Sequence, residues 1–132
     1  MEPVIKFRGY SIEKLVFTKE EMDFDEEFED QEDKDLSLSL NYGVTEDFKE
    51  GKVELTVRIK NTENDIKISL KVVGDFEINN LDDIEKIHQF LSINGTAILY
   101  PYVRSIISMV SSLDSPDAIL LPTINTSNFG QH

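Results

Sequence analysis

Val53-Glu54-Leu55-Thr56-Val57-Arg58-Ile59, then Asn61-Thr62-Glu63-Asn64-Asp65, then Ile66-Lys67-Ile68-Ser69-Leu70-Lys71-Val72 is the stretch that decides the fold. Apolar and polar residues alternate on both sides of a polar turn, and a period of two is the signature of a strand with one buried and one wet face. Two such runs around an Asn- and Asp-rich turn predict an antiparallel hairpin. Toward the N-terminus, Leu36, Leu38, Leu40 and Tyr42 alternate with Ser37, Ser39 and Asn41, giving another strand joined through a turn-rich connection at 43–51. Further out, residues 5–17 also alternate, but the apolar parity changes between Phe7 and Tyr10 and again between Ile12 and Leu15. An extra residue at such a change is a bulge, so the first strand is predicted to be long with one or two bulges, the first near Gly9. Toward the C-terminus, Gly74 is expected to reset the phase before Phe76 and Ile78, and the fourth strand ends there.

Two helical runs follow. Asn79-Asn80 offers a cap, Asp82 and Asp83 suit the positive end of a helix dipole, and Leu81, Ile84, Ile87, Phe90 and Leu91 repeat at helical spacing. A stop is expected near Asn94-Gly95. From about 96 to 112 a second run is apolar around most of its circumference, with Pro101 tolerated if the helix begins at Tyr100 or Pro101. That is more apolar surface than one sheet face can bury in so small a domain, which predicts contact with another subunit through Ile106, Met109, Val110 and Leu113. A proline turn and an extended apolar segment at 118–125 close the pattern. The fold class is therefore α+β: a four-stranded antiparallel sheet followed by helices, in a single domain over 1–132.

The composition narrows the function. The 132 residues hold 13 Lys+Arg against 26 Asp+Glu, a net charge of −13, which argues against nucleic-acid binding. Eleven carboxylates and a single lysine crowd into residues 20–35, so this segment carries −10 and the other 116 residues only −3. Self-repulsion of that density predicts a mobile loop, although Phe24 and Phe28 would share a face on a short helix able to cover an apolar surface. A further expectation is that the acidic segment lies over the basic face of the sheet. With no cysteine there is no disulfide, thiolate metal site or cysteine nucleophile. The opening Met1-Glu2-Pro3-Val4 resembles no leader, and no apolar run approaches the roughly 18 residues that suggest a membrane span, so a cytoplasmic protein with no membrane insertion is expected.

Catalytic chemistry has little to work with. The histidines are His88, within a helical run, and His132; the six glycines form no phosphate-cradling pattern, and the acidic cluster lacks the punctuation of a calcium loop. No enzyme activity, metal or cofactor is expected. What remains is a binding module.

Leu99-Tyr100-Pro101-Tyr102-Val103-Arg104, Ile107-Ser108-Met109-Val110-Ser111 and Leu120-Leu121-Pro122-Thr123-Ile124-Asn125 resemble the bacterial export chaperone family SecB, which carries an aromatic-Pro-Tyr-x-Arg run opening its long helix and a Leu-x-Pro-(Val/Ile)-Asn-Phe run after it, the Phe arriving here only at Phe129. Gly74-Asp75-Phe76-Glu77-Ile78 is similar to the family's Gly-x-Phe-x-Ile at the end of the fourth strand. The resemblance implies a homotetramer, built as a dimer of dimers, that holds unfolded or export-bound polypeptides in apolar grooves without a cofactor; many members of the family pass them to the export ATPase SecA. Some SecB-like proteins instead protect an antitoxin, and a non-chaperone adaptor that reuses the fold is a further alternative. Lys14 and Thr18 stand where acidic contacts to the ATPase would lie, and Lys67, Ser69 and Lys71 occupy the expected wet face of the fourth strand; such reversed charge repels a basic partner. Candidate client contacts are Phe17, Met22, Phe24, Phe28, Tyr42, Tyr100 and Tyr102, with Tyr42 also fitting a core position.

Overall fold

The computed structural model describes residues 4–19, 36–61, 66–79, 83–113, 119 and 121–122. Four strands, β1 (Ile5–Thr18), β2 (Leu36–Val44), β3 (Glu50–Asn61) and β4 (Ile66–Ile78), form one antiparallel sheet in the order β1-β4-β3-β2. Strands β2, β3 and β4 are a meander. β1 lies against the far side of β4, so β1 and β2 are the two edges. The acidic segment 20–35, with Met22, Phe24 and Phe28, and with it the expected mobile loop or covering helix, lies outside the described residues, as do residues 62–65.

The hairpin read from alternation is present in register, with Ile59 opposite Ile68 and Val57 opposite Leu70. Val53, Leu55, Val57, Ile59, Ile66, Ile68, Leu70 and Val72 are all buried on the same face. The expected phase change at Gly74 does not occur, because the pairing runs unbroken from Asn61↔Ile66 to Glu50↔Glu77. Gly74 serves close packing instead: a Cβ there would lie 3.1 Å from Leu99 Cδ1. The wet face expected of β4 is also corrected. Ser69 and Lys67 are buried, since β4 is interior to the sheet and Ser69 sits in register between Val16 and Arg58. Only Lys71 of the three stays half-exposed, paired with Glu54 at 2.6 Å and Glu13 at 3.5 Å.

Both bulges of β1 are present, between Phe7 and Gly9 and between Ile12 and Lys14. Gly9 takes φ 137°, which a side chain rarely allows. The bulges set the strand's composition by face. Phe7 lies opposite Phe76, Ile12 opposite Val72, and Leu15 opposite Leu70, so the extra residues Arg8 and Glu13 return each following apolar residue to the side of the core.

The helices differ from expectation at three places. α1 (Ile84–Gln89) is capped by Asp83, whose carboxylate accepts from the Glu85 N–H at 3.1 Å, rather than by Asn79-Asn80. The path does not stop at Asn94-Gly95: a π-helical segment (Phe90–Gly95) leads directly into α2 (Thr96–Ser112). Gly95 is helical, φ −62°, and its lack of a side chain lets the helix approach β3, where a Cβ would meet Val53 Cγ2 at 2.9 Å. Pro101 sits inside α2 rather than opening it, on the outward face, where the carbonyl it leaves without a partner can reach water. Leu91, Leu99, Val103, Ile106 and Ile107 pack down onto the sheet.

Because Glu13 is the supernumerary residue of the second bulge, deleting it restores regular pairing and should change unfolding free energy by less than about 1 kcal/mol. Deleting Val16 instead turns Phe17 to the polar face and should cost roughly 2–4 kcal/mol. Urea denaturation checks both, and equal losses would contradict the assigned register.

Candidate functional site: an apolar face wider than its helix

The helical layer covers the middle of the sheet and leaves apolar strips at both edges. On the β1 side Tyr10, Ile12 and Leu15 are 42–46% exposed although they point to the helix face. Tyr102 of α2, 40% exposed, leans over this strip, its ring 4.8 Å from Tyr10 and 5.6 Å from Phe7, which in turn meets Phe76 at 5.4 Å. A ladder of four aromatic rings thus descends from the surface into the core. On the β2 side Leu36 and Tyr42 are exposed, and Tyr42 meets His88 of α1 edge-on at 5.2 Å. The two strips lie on opposite edges of the sheet.

The candidate client residues therefore do not form one cluster. Tyr102 joins the β1 strip and Tyr42 the β2 strip, the latter exposed rather than core. Phe17 lies on the helix face of β1, half-buried against the core. Tyr100 points inward: it is buried, and its hydroxyl donates to the Pro122 carbonyl at 2.5 Å. Burial pushes its phenol above the ordinary tyrosine range, partly offset by Arg104. Met22, Phe24 and Phe28 lie outside the described residues. Tyr10, Ile12 and Leu15 were not among the candidates, although the parity changes in residues 5–17 contain the signal that places all three on the core side.

The outer surface of α2 is a second feature. Ala97, Ile98, Pro101, Tyr102, Ser105, Met109 and Ser112 face outward, and Arg104 is the helix's one charged residue. Met109 is 60% and Leu113 81% exposed, whereas Ile106 is buried in the subunit's own core and Val110 packs against it. Pro101, Arg104, Ser105, Ser108, Met109 and Ser112 line a shallow groove along this face. Among the described residues no group of three or more His, Asp or Glu could hold a metal, and no helix is long and apolar enough to cross a membrane.

The ring contact between the edge strand and the helix is directly measurable. A double-mutant cycle of Tyr10→Ala and Tyr102→Ala should show a coupling of about 0.5–1.5 kcal/mol in urea unfolding; strict additivity would contradict it.

Comparison with known proteins agrees with this architecture. The model for SecB, the preprotein translocase subunit, matches residues 11–130. An uncharacterised protein of Methanocaldococcus jannaschii, MJ0357, is 30% identical over 135 residues, spanning 93% of this chain and 80% of that protein. Among solved structures, the Mycobacterium tuberculosis SecB-like chaperone Rv1957, in complex with a ChAD peptide from the HigA1 antitoxin Rv1956, superposes with a TM-score of 0.67 at 12% identity, covering 91% of this chain and 87% of that one. A Streptococcus agalactiae protein of unknown function superposes at 0.58 with 13% identity, covering 90% and 97%. The match of the family model over nearly the whole sheet-and-helix unit, with the fold seen in Rv1957, means that the chain belongs to the SecB family.

Proposed function

We propose that this chain is a holding chaperone that captures unfolded or export-bound polypeptides in the apolar strips beside its helical layer, as a cytoplasmic homotetramer and without ATP hydrolysis or a cofactor. The observation that carries the reading is the half-exposed aromatic and aliphatic surface formed by Tyr10, Ile12, Leu15 and Tyr102. Such surface is costly in water unless something covers it. An open strip, unlike a shaped pocket, accepts many side chains.

The second strip adds main-chain recognition. β2 is an edge strand with no charged residue and no bulge in Leu36–Val44, the reverse of the devices that normally protect an edge. An extended client can pair with that edge while its alternate side chains rest on Leu36 and Tyr42. The antitoxin peptide held by the structural neighbour Rv1957 supports a polypeptide as the class of ligand.

Assembly follows from the outer face of α2. A chain of net charge −13 that leaves Arg104 as the single charged residue along this groove fits a subunit interface, with Met109 and Leu113 as its apolar contacts. On the polar face Lys14 and Thr18 stand where carboxylates would steer a basic ATPase, which favours a dedicated client, such as an antitoxin, over delivery to SecA.

The chain lacks tryptophan, so a client's tryptophan reports alone. Diluting a denaturant-unfolded, tryptophan-containing protein into this chain is expected to suppress light scattering, saturating near one client per few subunits. Undiminished aggregation with unchanged fluorescence would contradict the holding function. Met109→Glu is expected to lower the sedimenting mass of the assembly; an unchanged mass would remove the outer face of α2 from the interface.

A further inference from the structure

The flank of α2 makes three hydrogen bonds to a strap of its own chain, Ile119, Leu121 and Pro122, each to the backbone of those residues. The Tyr100 hydroxyl donates to the Pro122 carbonyl at 2.5 Å, Arg104 Nε donates to the Leu121 carbonyl at 3.1 Å, and Ser111 Oγ accepts from the Ile119 N–H at 2.7 Å. Low helix numbers meet high strap numbers, so this strap runs antiparallel to α2. None of the three contacts involves a strap side chain. Side-chain recognition is apolar and alternates: Leu121 is 3% exposed, and Ile119, two residues earlier, packs half-buried against the core.

Backbone hydrogen bonds combined with apolar sockets at alternate positions are how extended peptides of varied sequence are bound. Here that recognition chemistry is occupied in cis. Among the described residues no backbone-to-backbone hydrogen bond ties Ile119, Leu121 or Pro122 to the sheet, so the strap is attached through α2 side chains and two apolar groups. The Arg104 guanidinium and the Tyr100 hydroxyl are positioned for any pair of successive carbonyls, not for this leucine and proline in particular.

We propose that the strap around Leu121 is an internal pseudo-client: it fills a site on α2 suited to an extended polypeptide with branched apolar residues at alternate positions, and an incoming client of that chemistry displaces it. This rests on the holding function argued above. The strap then sets a threshold, because a segment that merely touches the edge strips leaves it in place, while one that also offers alternate Leu or Ile residues takes over Tyr100, Arg104 and Ser111.

The test is amide hydrogen exchange on the full chain, with and without a saturating, permanently unfolded probe: a reduced, carboxymethylated protein containing tryptophan, whose fluorescence reports binding. Exchange in the peptide covering 119–122 is expected to accelerate at least fivefold on binding, with β3 and β4 unchanged. Bound probe with unchanged exchange at 119–122 would overturn the displacement and leave the holding function standing; a probe that does not bind would overturn both. A second measurement uses Leu121→Ala, which weakens the strap's apolar anchor and leaves Tyr100, Arg104 and Ser111 intact for the client. The probe should bind this variant at least about fivefold more tightly, and equal or weaker binding would overturn the proposal.

Discussion

Everything in this molecule depends on keeping the apolar side chains of a 14-residue edge strand on one side of a sheet. A regular strand could not do so with this sequence, because the spacing from Phe7 to Tyr10 and from Ile12 to Leu15 is odd. Two extra residues, Arg8 and Glu13, absorb the difference, and Gly9 supplies the backbone conformation that the first insertion needs. Without them Tyr10 and Ile12 would join the lysines and carboxylates of the opposite face. With them, all four strands present one continuous apolar surface.

That surface is broader than the single helical path that covers it. The centre is sealed by Leu91, Leu99, Val103 and Ile107, fully buried against β3 and β4, while the edges retain exposed tyrosines and aliphatics. The approach is close because Gly74 and Gly95 carry no side chains. A larger core would be more stable alone and would have nothing left to bind with. The same economy appears in α2: its inner side is core, its flank holds the strap, and the groove on its outer side has Arg104 as its one charged residue.

Much of this was legible in the sequence. Strands β2, β3 and β4 follow from alternation that no helix could satisfy, and the parity breaks in β1 announce both bulges. The continuous helix was not legible, because Asn94-Gly95 and Pro101 are local breakers and only the proximity of Val53 shows why a glycine is needed there. Residues 79–83 contain several cap-competent side chains, and which one caps depends on where β4 releases the chain. At the site, Tyr100 and Tyr102 look equivalent around Pro101, yet two residues on a helix turn through about 200°, so one faces the core and the other the solvent. The width of the helical layer relative to the sheet is a tertiary quantity, and it decides which of the alternating apolar residues stay exposed.

The central claim is that the apolar side of the sheet, beside the helix, is where polypeptides are held. A photo-crosslinking phenylalanine analogue placed at Tyr102, and in a separate chain at Thr56 on the opposite face, tests it with an unfolded tryptophan-containing probe. The account predicts covalent probe adducts from position 102 and none above background from position 56. Adducts from 56 with none from 102 would contradict it, and would move the binding surface to the charged face of the sheet.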